Sequence, residues 1–162
     1  MNLIAEAPAL LVGLLALLLI AGGVEDAVRL RISNMISLAI LLLAVVAALV
    51  VGVELVFWKN VAVFAGLLAF GTLLFATGNF GGGDVKLLAA TGLWVGFLAS
   101  LTLLAAVFIT GGILALVILG SRMVVPVTWK DRVAVLRPGS GIPYGIAIAI
   151  GALITIVLQR MM

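Results

Sequence analysis

Long apolar stretches, separated by short polar segments, make up most of this chain. Of its 162 residues, 66% are hydrophobic and 9% are charged, and the mean hydropathy is +1.49, far above the range of a water-soluble globular domain. A helix crosses a bilayer with about 20 apolar residues, and the alternating pattern of a transmembrane β-barrel does not occur. The sequence therefore predicts an all-α, polytopic membrane helical bundle, one domain over residues 1–162.

About six membrane spans are expected, at approximately 8–24, 35–56, 61–77, 85–96, 98–120 and 142–159. The region 85–120 is apolar for about twice the thickness of a membrane, so it must hold two helices. Their break is predicted between Gly92 and Gly96, because two glycines weaken a helix and Trp94 can lie at the headgroup level. The fourth helix is accordingly expected to be short.

The basic residues predict the orientation of the bundle. With six spans, only Lys59 and Arg160 of the nine basic residues fall on the side of the termini. The others fall in the first, third and fifth loops, the fifth being the hydrophilic connection 121–141. By the positive-inside rule these loops are cytoplasmic, which indicates a multi-pass protein of the inner (cytoplasmic) membrane.

The chain contains neither Cys nor His. This excludes disulfides, cysteine nucleophiles, zinc sites built on thiolate or imidazole, and triads that use histidine as the base. Chemistry is left to carboxylates, hydroxyls and amines, and we expect no metal and no organic cofactor. The net charge of +3 is scattered over the loops, so no nucleic-acid partner is expected.

Two acidic residues, Asp26 and Asp84, fall where apolar stretches meet the predicted cytoplasmic face. A carboxylate at the edge of a membrane is costly and is a candidate for function. Two carboxylates held close together share a proton, so that one activates a water while the other donates a proton to a peptide carbonyl. The alternative is that neither acid is catalytic. Asp84 would then lie in a flexible turn between helices, and Asp26 would be a solvated or helix-capping residue. Glu25 competes with Asp26, but adjacent helical side chains point about 100° apart.

Glycines surround Asp84 in the segment 78–86. Glycine permits positive φ and lets another backbone approach the acid closely. Lys86 can bias the acid pair electrostatically or contact a substrate carboxylate, but an interfacial anchor is the more common use of such a lysine.

These residues resemble the motifs of the type IV prepilin peptidases. The segment from Gly81 through Gly83 and Asp84 to Lys86 resembles their GxGD motif, and Asp26 followed by Asn34 resembles their first aspartate motif. The segments 92–96 (GLWVG) and 141–145 (GIPYG) are similar to further family features.

The resemblance implies that Asp26 and Asp84 are the catalytic pair, supported by Gly81, Gly83, Lys86 and Asn34. It implies removal of the leader peptide of prepilins or pseudopilins at the cytoplasmic face. The substrate helix and the enzyme helices would meet within lipid. A homo-oligomer is one possibility. The family often has proline at the position of Ser33. The cysteine-containing insertion of larger members has no counterpart, so no methyltransferase domain is expected and the likeness is to the small Flp (tight-adherence) peptidases.

Two other classes of function stay open on the sequence. A small transporter would usually carry ionisable groups near the middle of the bilayer, and the predicted span interiors after Asn34 carry none. A non-catalytic scaffold subunit of a pilus or secretion apparatus is disfavoured only by the two paired acids.

Overall fold

The computed structural model describes residues 1–78, 80–125, 135 and 141–161, and the regular structure of these residues is helical. The all-α prediction is confirmed. The helices are α1 (Leu3–Glu6), α2 (Ala9–Arg29), α3 (Asn34–Val51), α4 (Trp58–Ala76), α5 (Gly82–Gly92), α6 (Phe97–Val124) and α7 (Tyr144–Met161), with a 3₁₀ turn at Leu55–Phe57.

Five of these helices, among the described residues, are long and apolar enough to cross a membrane: α2, α3, α4 with the preceding 3₁₀ turn, α6 and α7. The predicted span 85–96 corresponds to α5, which has 11 residues and a length of about 16 Å at 1.5 Å per residue. It is too short to cross alone. The chain leaves α5 at Gly92 and re-enters a helix at Phe97, so the interruption coincides with the glycine-flanked segment identified in the sequence.

Several helix ends differ from the sequence-based spans. The first predicted span corresponds to α2, which continues past residue 24 and carries Asp26 in its last turn. The second predicted span corresponds to α3, which ends at Val51 instead of 56, because Gly52 adopts a φ of 99°, a conformation that only glycine adopts readily. The last predicted span, 142–159, corresponds to α7, which begins at Tyr144. Residues 121–124 of the predicted loop 121–141 belong to α6, and most of the rest of that loop lies outside the described residues.

The N-terminal segment packs inside the bundle. Leu3 and Ile4 are fully buried, and the Ile4 backbone N–H donates to the Trp94 carbonyl oxygen at 3.3 Å. The segment therefore packs beside the end of α5, next to the turn that follows this short helix.

Glycines set the closest helix approaches. A Cβ at Gly151 of α7 would lie 2.7 Å from the Val107 backbone nitrogen of α6, and a Cβ at Gly71 of α4 would lie 2.7 Å from a methyl of Val85 in α5. Small residues at crossings are the usual means of tight packing within membranes. This packing gathers the end of α2 and the beginnings of α5 and α7 at one end of the bundle, here called the site end.

Candidate active site

Asp26 and Asp84 line the same cavity at the site end. The cavity has a volume of about 370 Å³ and is otherwise bounded by the α2–α3 loop and by the glycines before and within the first turn of α5. Asp26 comes from the last turn of α2 and Asp84 from the first turn of α5. Both are buried, at 4% and 7% exposure. The structure thus brings together two acids that are 58 positions apart in the sequence.

Asp26 is held by the beginning of α7. Its Oδ2 accepts a hydrogen bond of 2.7 Å from the backbone N–H of Gly145, one of the N–H groups that the first turn of a helix leaves free. A Cβ at Gly145 would lie 2.8 Å from the Cβ and Oδ2 of Asp26 and 2.7 Å from the Cδ1 of Ile32. Glycine is therefore required for this hydrogen bond to form.

Asp84 is bound at one oxygen only. Its Oδ2 accepts from the Gly81 backbone N–H at 3.2 Å, which caps the start of α5. Its Oδ1 is buried and has no hydrogen-bond partner among the described residues. A buried carboxylate oxygen without a donor is costly, so Oδ1 marks a position where a water or a substrate group is expected.

Asp84 lies outside the five full-length spans. Burial, and then the nearby charge of Asp26, raise the pKa of the Asp84 carboxyl to about 7, against the opposing hydrogen bond from Gly81. A carboxyl with this pKa is protonated below pH 7 and still holds a proton in part of the molecules at pH 7, as is expected of one member of a pair of close carboxylates.

The motif glycines are needed for close approach. A Cβ at Gly83 would lie 3.0 Å from the Cβ of Ile32 and 3.2 Å from its carbonyl oxygen, and a Cβ at Gly81 would lie 2.6 Å from the Asp84 Oδ2. The expected positive φ occurs in this region only at Gly78, among the described residues. Gly81 itself has a φ of −77°. Close contact with Asp84 therefore accounts for glycine at 81, and contact with the α2–α3 loop accounts for glycine at 83, whereas a Cβ at Gly82 would meet only Phe75 at an ordinary 3.5 Å.

Lys86 and Asn34 contact each other beside the cavity. The Lys86 Nζ donates to the Asn34 Oδ1 at 2.8 Å, which ties the first turn of α5 to the first residue of α3. Neither residue lines the cavity. Both support the position of the site from outside it.

Glu25, the acid that competes with Asp26 in the sequence, is engaged elsewhere. Its Oε2 accepts from the Ser33 backbone N–H at 2.8 Å, and its Oε1 lies 3.4 Å from the Arg29 guanidinium. It holds the α2–α3 loop and does not line the cavity.

Gly145 and Arg31 were not among the predicted site residues, yet Gly145 holds Asp26 and Arg31 lines the cavity. The sequence indicated the segment 141–145 only through its similarity to a family feature, which does not predict a hydrogen bond from Gly145 to an acid. Arg31 was read only as an orientation signal. Among the described residues, no three Asp, Glu, His or Cys side chains gather as a metal site requires.

Comparison with known proteins gives one finding for this chain. The model of the type IV leader peptidase family matches residues 13–116, a stretch that begins in α2, includes both aspartates and ends in α6. No curated protein and no solved structure gives a significant match.

Proposed function

The chain belongs to the type IV leader peptidase family and is a multi-pass membrane peptidase of that type, and we propose that it is an aspartic endopeptidase that removes the leader peptide of prepilins or pseudopilins. The observation that carries this proposal is the common cavity of Asp26 and Asp84. The unpartnered Oδ1 of Asp84 within it supports a role in binding a water or a substrate oxygen.

In the proposed reaction, Asp84 holds the shared proton and Asp26 is the ionised base. Asp26 takes a proton from water as the water oxygen bonds to the scissile carbonyl carbon, and Asp84 gives its proton to the carbonyl oxygen. When the tetrahedral intermediate collapses, the C–N bond breaks, Asp26 passes its proton to the leaving amine, and Asp84 recovers its proton from the hydroxyl group. Atoms and charges balance without any further reactant.

The cleavage is proposed to occur at the cytoplasmic face. The site end carries Arg29 and Arg31 beside the cavity and Lys86 on α5, and basic residues favour the cytoplasmic side of a membrane. Among the described residues, the opposite end carries two basic residues, Lys59 at the start of α4 and Arg160 at the end of α7. Peptide bonds close to the inner surface of the membrane would then be within reach of the acids.

The test is the removal of each carboxylate without a change of shape. Asp26→Asn and Asp84→Asn are each expected to abolish leader removal from a panel of Flp-type and type IV prepilins that are co-expressed with the protein. Glu25→Gln is the matched control, because it alters an adjacent acid that holds only the α2–α3 loop. We expect processing by this variant to stay near that of the wild type, as measured by the loss of leader mass on intact-protein mass spectrometry.

Normal processing by either Asn variant, at equal abundance in the membrane, would refute the catalytic assignment. Absence of processing by the wild type across the whole panel would instead favour a scaffold or a transporter, the two classes that the sequence left open.

A further inference from the structure

An apolar groove opens on the side of the bundle between α4 and α6. It has a volume of about 350 Å³. Its walls come from the second half of α4 and the middle of α6, and its floor includes Leu88 of α5. Phe108 and Phe70 stand at its walls, 62% and 47% exposed. Because these helices lie in a membrane, the groove is open to the lipid.

Residues that line the groove lie close in the chain to both aspartates or to the glycines that hold them. Leu88 lies one helical turn after Asp84, on the same face of α5. At the site end the groove is closed by Phe80 and Tyr144, whose rings are 5.1 Å apart between centroids.

Each of these two rings adjoins a residue that binds an aspartate. Phe80 precedes Gly81, whose N–H binds Asp84, and Tyr144 precedes Gly145, whose N–H binds Asp26. The ring pair therefore lines the lipid-facing groove and is directly joined, through the backbone, to the two glycines that hold the aspartates.

We propose that this groove binds the apolar helix of the substrate and that the Phe80–Tyr144 pair is where the substrate chain turns from the lipid toward the aspartates. This rests on the proposed function. The groove lining contains no charged residue, which fits an uncharged helix and no polar ligand. From Leu104 to Ala115 the groove follows α6 for about 16 Å, room for about three turns of a helix.

The small residues of the groove make a helical occupant possible. Gly71, Gly111 and Gly112 lie in its walls, and glycines let a second helix approach closely. A Cβ at Gly112 would meet nothing within 4 Å. Tight packing within the protein therefore does not account for glycine at this position, and the open space leaves room for an approaching helix.

Docking is tested apart from cleavage by photocrosslinking. A benzophenone amino acid replaces Phe108 in the inactive Asp84→Asn protein, co-expressed with a Flp-type prepilin that the wild type cleaves. We expect an adduct that maps to the apolar helix of the prepilin. The control replaces Leu17 of α2, which is 63% exposed but lies off the groove, and should give no such adduct. An adduct with lipid only, or with a second copy of this chain, would overturn the proposal.

A cleavage experiment adds the functional readout. Gly112→Leu adds a side chain to the groove at a position where a Cβ meets nothing within 4 Å, and it is expected to lower kcat/KM for the full-length prepilin about tenfold, as an overfilled site does. Gly13→Leu is the matched control, since Gly13 also has open space around it and lies on α2. Equal kinetics of the two variants would contradict the docking assignment. Loss of processing in Asp84→Asn together with no prepilin adduct at Phe108 would reject the groove and leave the proposed chemistry standing.

Discussion

Asp84 combines a buried oxygen that has no hydrogen-bond partner among the described residues with a pKa raised to about 7. The sequence indicated Asp84 through its glycines, but it did not indicate that one oxygen is capped by Gly81 while the other has no partner among the described residues. In the proposed mechanism, this difference between the two oxygens would let Asp84 keep a fixed position and still bind a water or a substrate group.

The pH dependence of cleavage follows from the Asp84 carboxyl. Its pKa is raised to about 7 by burial and by the charge of Asp26. An acid with a raised pKa is protonated below that value, so the proton donor is present in acid and is lost as the pH rises through about 7. We expect kcat/KM, measured on purified protein in detergent, to fall on the alkaline side of this value. A rate that stays constant up to pH 9 would show that Asp84 is not the donor.

Gly145 is a second residue on which activity is expected to depend. Gly145→Ala places a Cβ 2.8 Å from the Asp26 Oδ2, so α7 must shift and the hydrogen bond to Asp26 is lost. Overpacking of this kind costs about 1–3 kcal/mol, and we expect a loss of processing of about tenfold, since 1.4 kcal/mol lies within this range and corresponds to about tenfold.

Gly141→Ala is the control for this change, because a Cβ at Gly141 meets nothing within 4 Å. It should process prepilin like the wild type. If Gly145→Ala and Gly141→Ala behave alike, the backbone of α7 does not position Asp26.

Among the elements, the turn between α5 and α6 is held by two side-chain hydrogen bonds that join it to α4 and α3. Asn60 of α4 is fully buried, and its Nδ2 donates to the Leu93 carbonyl oxygen at 3.0 Å. The Trp94 Nε1 donates to the Ile40 carbonyl oxygen of α3 at 3.1 Å. Trp94 was expected at the headgroup level but is fully buried. Its indole is a structural anchor inside the bundle.

Asn60→Leu is expected to loosen this turn. It removes the donor to the Leu93 carbonyl, and an unsatisfied buried carbonyl costs about 1–3 kcal/mol. The thermal unfolding midpoint in detergent should fall, whereas Lys59→Leu, at the exposed neighbouring position, should leave it nearly unchanged. Equal midpoints for the two variants would show that the hydrogen bond does not stabilise the turn.

The helices and the interruption after α5 were predictable from hydropathy and from glycine positions. Gly92 and Gly96 marked the interruption between α5 and α6, because an uninterrupted apolar region of that length exceeds a membrane. The burial of Leu3 and Ile4 was not predictable, since a four-residue helix has no periodicity to detect. The same holds for the Gly145 hydrogen bond, which depends on how α2 and α7 cross and not on either helix alone.

At the scale of the whole molecule, the helices form a bundle with a distinct site end. α7 packs against both α2 and α6, and α5 packs against α3 and α4. Asp26 therefore comes from the part of the bundle formed by α2, α6 and α7, and Asp84 comes from the part formed by α3, α4 and α5. α7 also packs against α5 and so joins the two parts. The cavity lies where these parts meet.

The orientation of the bundle is testable because the chain has no cysteine. Arg29→Cys places a thiol at the site end and Glu54→Cys places one near the opposite end, between α3 and α4. In bacterial spheroplasts, a membrane-impermeant maleimide should label Glu54→Cys directly and Arg29→Cys only after the membrane is permeabilised. The reverse pattern would place the aspartates on the outer side of the inner membrane.

The most direct measurement of the central claim asks whether positions 26 and 84 meet in the membrane. The double variant Asp26→Cys and Asp84→Cys contains the only two thiols of the chain, and mild oxidation in native membranes is followed by peptide mass spectrometry without reduction. We expect an intramolecular disulfide between the two positions, and none in the control that combines Asp26→Cys with Glu54→Cys. Two thiols that stay free under oxidation, and that short bifunctional thiol reagents also fail to link, would contradict a shared catalytic site.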